Sequence, residues 1–182
     1  MEHLVLPKDI SKIEDLSVGD VFYLSGTVFT ARDEAHRLLL ELPSEKIPFR
    51  ISEMSLYHCG PLMREKHDGW EVISAGPTTS SRMEIFEDRF IERFNTRLII
   101  GKGDMGEQTR LALKKKKGVY AVYTGGAGAL AADQIDKIID VFWLEELGMA
   151  EAVWVFEVAK FGPLVVGMDP KGASLFSRKE DG

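Results

Sequence analysis

The octapeptide Gly76-Pro77-Thr78-Thr79-Ser80-Ser81-Arg82-Met83 constrains this chain more than any other stretch, because it turns a loop into a helix at a defined point. Ser81 and Glu84 have the S-x-x-E spacing of a capping box, which predicts a helix whose first residue is Arg82. Met83, Phe86, Phe90 and Phe94 recur at helical spacing and give that helix one apolar face. A helix start carries unpaired N–H groups and the positive end of the dipole, so it suits an anion. Arg82 adds a planar guanidinium there, and Thr78 and Thr79 add hydroxyls. An ordinary N-cap beside an exposed arginine explains the same residues equally well.

The pattern on either side is one of strands interrupted by helices. Residues 16–30 read as strand material, and 34–42 as a helix closed by Pro43, which puts Arg32 at a second helix start. Residues 55–59 and 70–74 read as strands with a turn at 67–69, and 97–100 as a short buried strand. A helix over 107–116, a strand over 119–123, a glycine loop over 125–128 and a helix to about 139 follow. Residues 152–176 read as a hairpin of two strands, 153–158 and 164–168, with a turn at 169–172. The mixture predicts a layered mixed α/β (α+β) fold, with one domain over 1–182.

Charge and composition exclude several classes. The net charge of −6 argues against a nucleic-acid surface and requires a local cluster of Arg and Lys for any anionic ligand. No apolar run reaches transmembrane length and the start, Met-Glu-His-Leu, lacks a signal pattern. No membrane association is expected, and a cytoplasmic location is. Cys59 is the only cysteine, so it forms no internal disulfide and cannot alone house an iron–sulfur cluster. It reads as a small buried hydrophobe. His58 beside it has no second ligand pair at zinc spacing and reads as turn or core, and His36 as a packing residue. The lysine run 114–117 reads as a solvated helix C-terminus.

Residues 101–106 spell G-x-G-x-x-G between a strand and a helix, yet no acidic residue follows at the dinucleotide spacing before Asp133, and no Walker A sequence is present. Lys102 stands inside this loop. Arg32, Arg82 and Lys102 thus all lie at loop-to-helix junctions, which parallel sheets gather at one edge. Three cations suit a ligand with two carboxylates, at about 1.5–3 kcal/mol per charge-assisted hydrogen bond. A threonine hydroxyl is too weak an acid to serve as a base unless neighbouring positive charge lowers its pKa, and Thr78 has such neighbours. The residues alone indicate a polyanion site and no particular reaction. A non-catalytic module for a small anion is one reading of them.

Beyond this, the chain resembles a known family. Gly-Pro-Thr-Thr-Ser-Ser-Arg-Met at 76–83, Ile-Gly-Lys-Gly-Asp-Met-Gly at 100–106, Tyr-His-Cys-Gly-Pro at 57–61 and Thr-Ala-Arg-Asp-Glu-Ala-His at 30–36 are similar to the β subunits of class I fumarate hydratases. The β subunits of L(+)-tartrate dehydratases share these motifs. The resemblance implies a swivelling β/β/α fold and reversible hydration of fumarate to L-malate. It implies a four-iron four-sulfur cluster carried by a separate α subunit, with none bound by this chain, and a hetero-oligomer of two α and two β subunits. It further implies that Thr78 removes the C3 proton of malate and that Arg32, Arg82 and Lys102 hold the dicarboxylate. All four positions match the family pattern.

Overall fold

Three apolar runs that alternate between two cores set the architecture. In Leu98-Ile99-Ile100, Val119-Tyr120-Ala121 and Val153-Trp154-Val155-Phe156, successive side chains enter opposite hydrophobic clusters. That is the period-two geometry of a strand buried on both faces. In the computed structural model, which describes residues 2–124 and 126–176, these runs lie in a seven-stranded sheet. Gly125 of the glycine loop and the extreme ends of the 1–182 span, residues 1 and 177–182, lie outside the described residues.

The elements run in the order β1 (Glu2–Val5), β2 (Val21–Thr30), α1 (Asp33–Glu41), β3 (Ser55–Tyr57), β4 (Leu62–Lys66) and β5 (Gly69–Ser74). Next come α2 (Glu84–Phe94), β6 (Leu98–Gly101), α3 (Glu107–Lys116), β7 (Val119–Tyr123), α4 (Gly128–Asp133), β8 (Ile135–Phe142) and β9 (Val153–Met168), with the short helix α5 (Leu144–Leu147) before β9. The sheet order is β1-β2-β3-β6-β7-β9-β8. Strands β1, β2, β3, β6 and β7 are parallel, and β9 runs against them. Because β9 also pairs with β2, strands β2, β3, β6, β7 and β9 close into a barrel-like ring. Phe22, Leu24, Tyr57, Trp154, Phe156 and Phe161 fill its inside. Helices α1, α2 and α3 bury Ala35, Leu39, Phe90, Ile91 and Leu113 on the other face. The fold is mixed α/β with layered sheet and helix, as expected. Among the described residues no helix is long and apolar enough to cross a membrane.

Four expectations need correction. The anticipated C-terminal hairpin is one bent strand, β9, which stays paired with β2 on both sides of the bend. Gly162 takes φ = 140° there, a left-handed conformation that absorbs the bend without ending the strand. The helix expected to reach about 139 stops at Asp133, and β8 follows. Ile135, Ile138, Ile139 and Val141 imitate helical spacing, but their branched side chains favour the strand that pairs with β9. Strand β4 was hidden in a polar stretch and forms a hairpin with β5.

The fourth correction concerns the capping box, which does not form. Residues Ser80–Met83 make a 3-10 turn, α2 begins at Glu84, and no side chain caps it. Glu84 instead caps α3. It accepts from the N–H groups of Gly106 (2.7 Å), Gln108 (3.0 Å) and Thr109 (3.2 Å) and from the Thr109 hydroxyl (2.6 Å). A carboxylate at a helix start gains from both the free donors and the dipole. Replacing Glu84 by Ala leaves those donors without a protein acceptor. We expect a loss of about 2–3 kcal/mol, the scale of charged hydrogen bonds, read by urea unfolding. A loss under about 0.5 kcal/mol, the level of an ordinary surface change, would contradict this capping role.

Candidate functional site

Parallel strands β2, β3 and β6 lie side by side and finish at Thr30, Tyr57 and Gly101, so the chain leaves all three at one edge of the sheet. The segments that continue are Ala31–Asp33, His58–Gly60 and Lys102–Gly103. The loop that follows β5 threads between them. Thr78 N–H donates to the His58 carbonyl (2.7 Å) and Ser80 N–H to the Lys102 carbonyl (3.0 Å). Cys59 and Thr79 add bridges to Pro77 and Lys102. Thr78 is therefore fixed between the ends of β3 and β6, half-buried, by main-chain bonds.

The three cations border the same loop. Arg32 is the extended residue before α1, and its side chain lies over Gly60, where a Cβ would come within 2.6 Å of Nη1. Its Nε is 3.3 Å from Glu151 Oε1, and Glu151 Oε2 accepts the Glu34 N–H (3.0 Å) at the start of α1. Arg82 is about half-exposed and bonds the carboxylate of Asp33, the residue next to Arg32. Lys102 is half-buried and has no ion pair among the described residues. The structure thus gathers Arg32, Thr78, Arg82 and Lys102 at one edge. It also supplies two carboxylates, Asp33 and Glu151, that sequence reasoning did not assign. A groove of about 650 Å³ between β5 and β8 is lined by none of these residues.

The glycine-rich loop 101–106 is not a nucleotide cradle. Its helix start is already filled by the Glu84 carboxylate. Tyr120 OH donates to the Gly103 carbonyl (2.9 Å) and steadies the loop that carries Lys102.

A buried polar trio adjoins these segments. His36, His58 and Glu87 are fully buried, as is Ser80. Glu87 Oε2 stands 2.9 Å from His58 Nε2 and 3.5 Å from His36 Nε2, neither contact aligned as a hydrogen bond. Burial alone would raise the Glu87 carboxyl, but the two imidazoles outweigh it and hold the group down to about 2. Burial pushes His58 below its ordinary value against the pull of Glu87. His36 and His58 do pack in the core, as expected. Glu87 was missed, although the sequence carries its signal: it falls among Met83, Phe90, Ile91 and Phe94 on the apolar face of α2.

The donor set does not suit an iron–sulfur cluster. Cys59, the single thiol, is fully buried, and that burial pushes its pKa well up, away from the thiolate such iron requires.

A family model described as Fumarase C-terminus matches residues 3–179. The chain belongs to that family. It is 42% identical over 177 residues to the L(+)-tartrate dehydratase subunit beta of Escherichia coli K12, covering 97% of this chain and 87% of that relative. A putative L(+)-tartrate dehydratase subunit beta from Methanocaldococcus jannaschii is 44% identical over 171 residues, 93% of this chain and 86% of the relative. A putative fumarate hydratase class I from Geobacillus stearothermophilus is 40% identical over 173 residues, 94% of this chain but 33% of that longer protein.

The buried trio of this fumarase C-terminus chain has a consequence for acid stability. Both shifted groups bind protons more readily when unfolded, so folding weakens as pH falls. The share due to His58 is lost below the ordinary 6.5, and that due to Glu87 between 4.5 and about 2. We expect the unfolding free energy of the wild type to drop relative to Glu87→Gln as pH goes from 4.5 to 3. Parallel pH profiles for the two proteins would contradict this charge state.

Proposed function

We propose that this chain is the β subunit of a hydro-lyase that removes water reversibly from a four-carbon 2-hydroxy diacid, with L-malate and fumarate as the pair. The observation that carries the reading is the meeting of Arg32, Thr78, Arg82 and Lys102 at the edge left by β2, β3 and β6. Family membership supports it. The two guanidiniums and the ammonium bind and orient the carboxylates. Arg82 presents a flat pair of donors that matches a carboxylate in a way a lysine cannot.

Dehydration needs a weakly acidic C–H to lose its proton as the hydroxyl leaves. Thr78 takes that C3 proton: its alkoxide becomes the hydroxyl, and the electron pair stays on carbon until the C2 hydroxyl departs. Lys102 and Arg82 favour the alkoxide and stabilise the charge that builds on the adjacent carboxylate. Polarising the leaving hydroxyl is not within this chain's means. We assign that task to an iron–sulfur cluster on an α subunit, with two copies of each chain in the assembly, in the cytoplasm, and with residues 1–182 acting as one domain.

Tartrate is the second reading, favoured by the two relatives of subunit length that carry that name. Its carboxylates are those of malate, so the same cations serve. Its extra C3 hydroxyl is the group that a discriminating contact has to read. A non-catalytic anion-binding module would use the same cations without need of a half-buried hydroxyl held among them.

Anaerobic co-expression with a cysteine-rich α subunit, followed by assays on L-malate, fumarate and tartrate, tests these readings. We expect turnover only when both subunits are present; full activity from this chain alone, free of iron, would defeat the proposal. Thr78→Ala should lower kcat by about 10²–10⁴-fold, the usual contribution of a positioned base. Arg82→Lys should raise KM more than kcat falls, because the charge survives and the fork is lost. Unchanged kcat in the first variant would remove Thr78 from the base role.

A further inference from the structure

Each histidine of the buried trio turns one ring nitrogen to Glu87 and the other to a segment of the site. His36 Nδ1 lies 2.7 Å from the Arg32 carbonyl, which can only accept, so Nδ1 carries a hydrogen. His58 Nδ1 lies 2.9 Å from Ser80 Oγ, and its Nε2 is 2.9 Å from Glu87 Oε2. A nitrogen 2.9 Å from a buried carboxylate oxygen is better tolerated as N–H than as a lone pair, even off the hydrogen-bond axis, which puts the His58 hydrogen on Nε2 and leaves Nδ1 to accept from the Ser80 hydroxyl. The absence of a side chain at Gly101 makes this contact possible, since a Cβ there would overlap Ser80 Oγ and reach within 3.1 Å of His58 Nδ1. The main chain continues the same linkage, from the His58 carbonyl to Thr78 N–H and from Ser80 N–H to the Lys102 carbonyl.

We infer that His36, Glu87 and His58 are positioning residues for the dicarboxylate site: the two imidazoles pack about one buried carboxylate and hold, through their Nδ1 atoms, the Arg32 backbone on one side and the Ser80 hydroxyl of the Thr78–Arg82 loop on the other. The inference rests on the hydro-lyase reading above for what is positioned. None of the three touches substrate, because all are fully buried. Burying three polar side chains in an aromatic layer with Phe86 and Phe90 costs stability. A structural core would be better served by apolar residues, whereas exact placement of two loops needs directional contacts. A divalent ion is the competing occupant, since the three ligand atoms lie within 4.8 Å of one another.

Ring-nitrogen NMR on the ¹⁵N-labelled full chain tests the trio without any assay. We expect His36 to carry a hydrogen on Nδ1 and His58 to be a neutral Nε2–H tautomer, with the signals of both rings moving in Glu87→Gln. In the assembled enzyme, Ser80→Ala and Glu87→Gln should each lower kcat/KM by about 10–100-fold, the effect of displacing reacting groups by a fraction of an ångström to an ångström. Ser80→Ala removes only a hydroxyl, so it keeps the test open if Glu87→Gln fails to fold. A bare Nε2 on His58, a divalent ion retained by the purified chain, or wild-type kcat/KM in a folded Ser80→Ala enzyme would each overturn the inference. An assembly with no activity on any diacid would sink the proposed reaction, and the tautomers would still decide the trio.

Discussion

The pairing of β9 with both β2 and β7 is the constraint on which the rest depends. It bends the sheet round on itself, so that β2, β3, β6 and β7 run parallel inside a closed ring and cannot splay. Three of these strands then end at one edge, and the segments that follow them are forced into contact. The loop after β5 lies across that edge and is tied by main-chain hydrogen bonds to the ends of β3 and β6. Thr78 and Arg82 owe their place to that loop, and Arg32 and Lys102 theirs to the ends of β2 and β6. Packing on both faces of the sheet makes the arrangement stiff, since neither core can shift without exposing the other.

Electrostatics at the edge are nearly balanced in the chain as it stands. Arg82 pairs with Asp33 and Arg32 with Glu151, and both pairs are partly open to solvent. Such pairs contribute about 0–1 kcal/mol each, whereas hydrogen bonds from these cations to a diacid are worth about 1.5–3 kcal/mol apiece. On the proposed function, a bound diacid would take over the arginines at small cost. Until then the carboxylates keep the cations from repelling one another in a protein whose net charge is −6. Glu151 also caps α1, so its place is fixed by the fold independently of Arg32.

Much of this was legible in the sequence, and the parts that were not share a cause. Helix α3 and strand β7 coincide with the spans read from periodicity, because local apolar pattern and tertiary burial agree there. Arg32, Arg82 and Lys102 were expected together as loop-to-helix junctions of a parallel sheet. This holds for Arg32 and Lys102, whereas Arg82 follows β5 of the separate two-stranded sheet and reaches the edge through the loop bonded to His58 and Lys102. The misreadings arose where a distant partner overrode the local signal. Glu84 sits at capping-box spacing from Ser81, yet it serves a helix more than twenty residues onward. The stretch 135–142 imitates a helix until β9 pairs with it. Asp33 and Glu151 join the site through contacts that no spacing rule encodes, whereas Glu87 was marked by its place on the apolar face of α2.

The most direct measurement is a crystal structure of the chain assembled with its α subunit and a slowly turned-over C4 diacid. The arrangement described here requires the carboxylates of that ligand on Arg32, Arg82 and Lys102, with the Thr78 hydroxyl facing its C3 hydrogen. A diacid bound in the groove between β5 and β8, or held by the α subunit alone with Thr78 turned from it, would contradict the assignment.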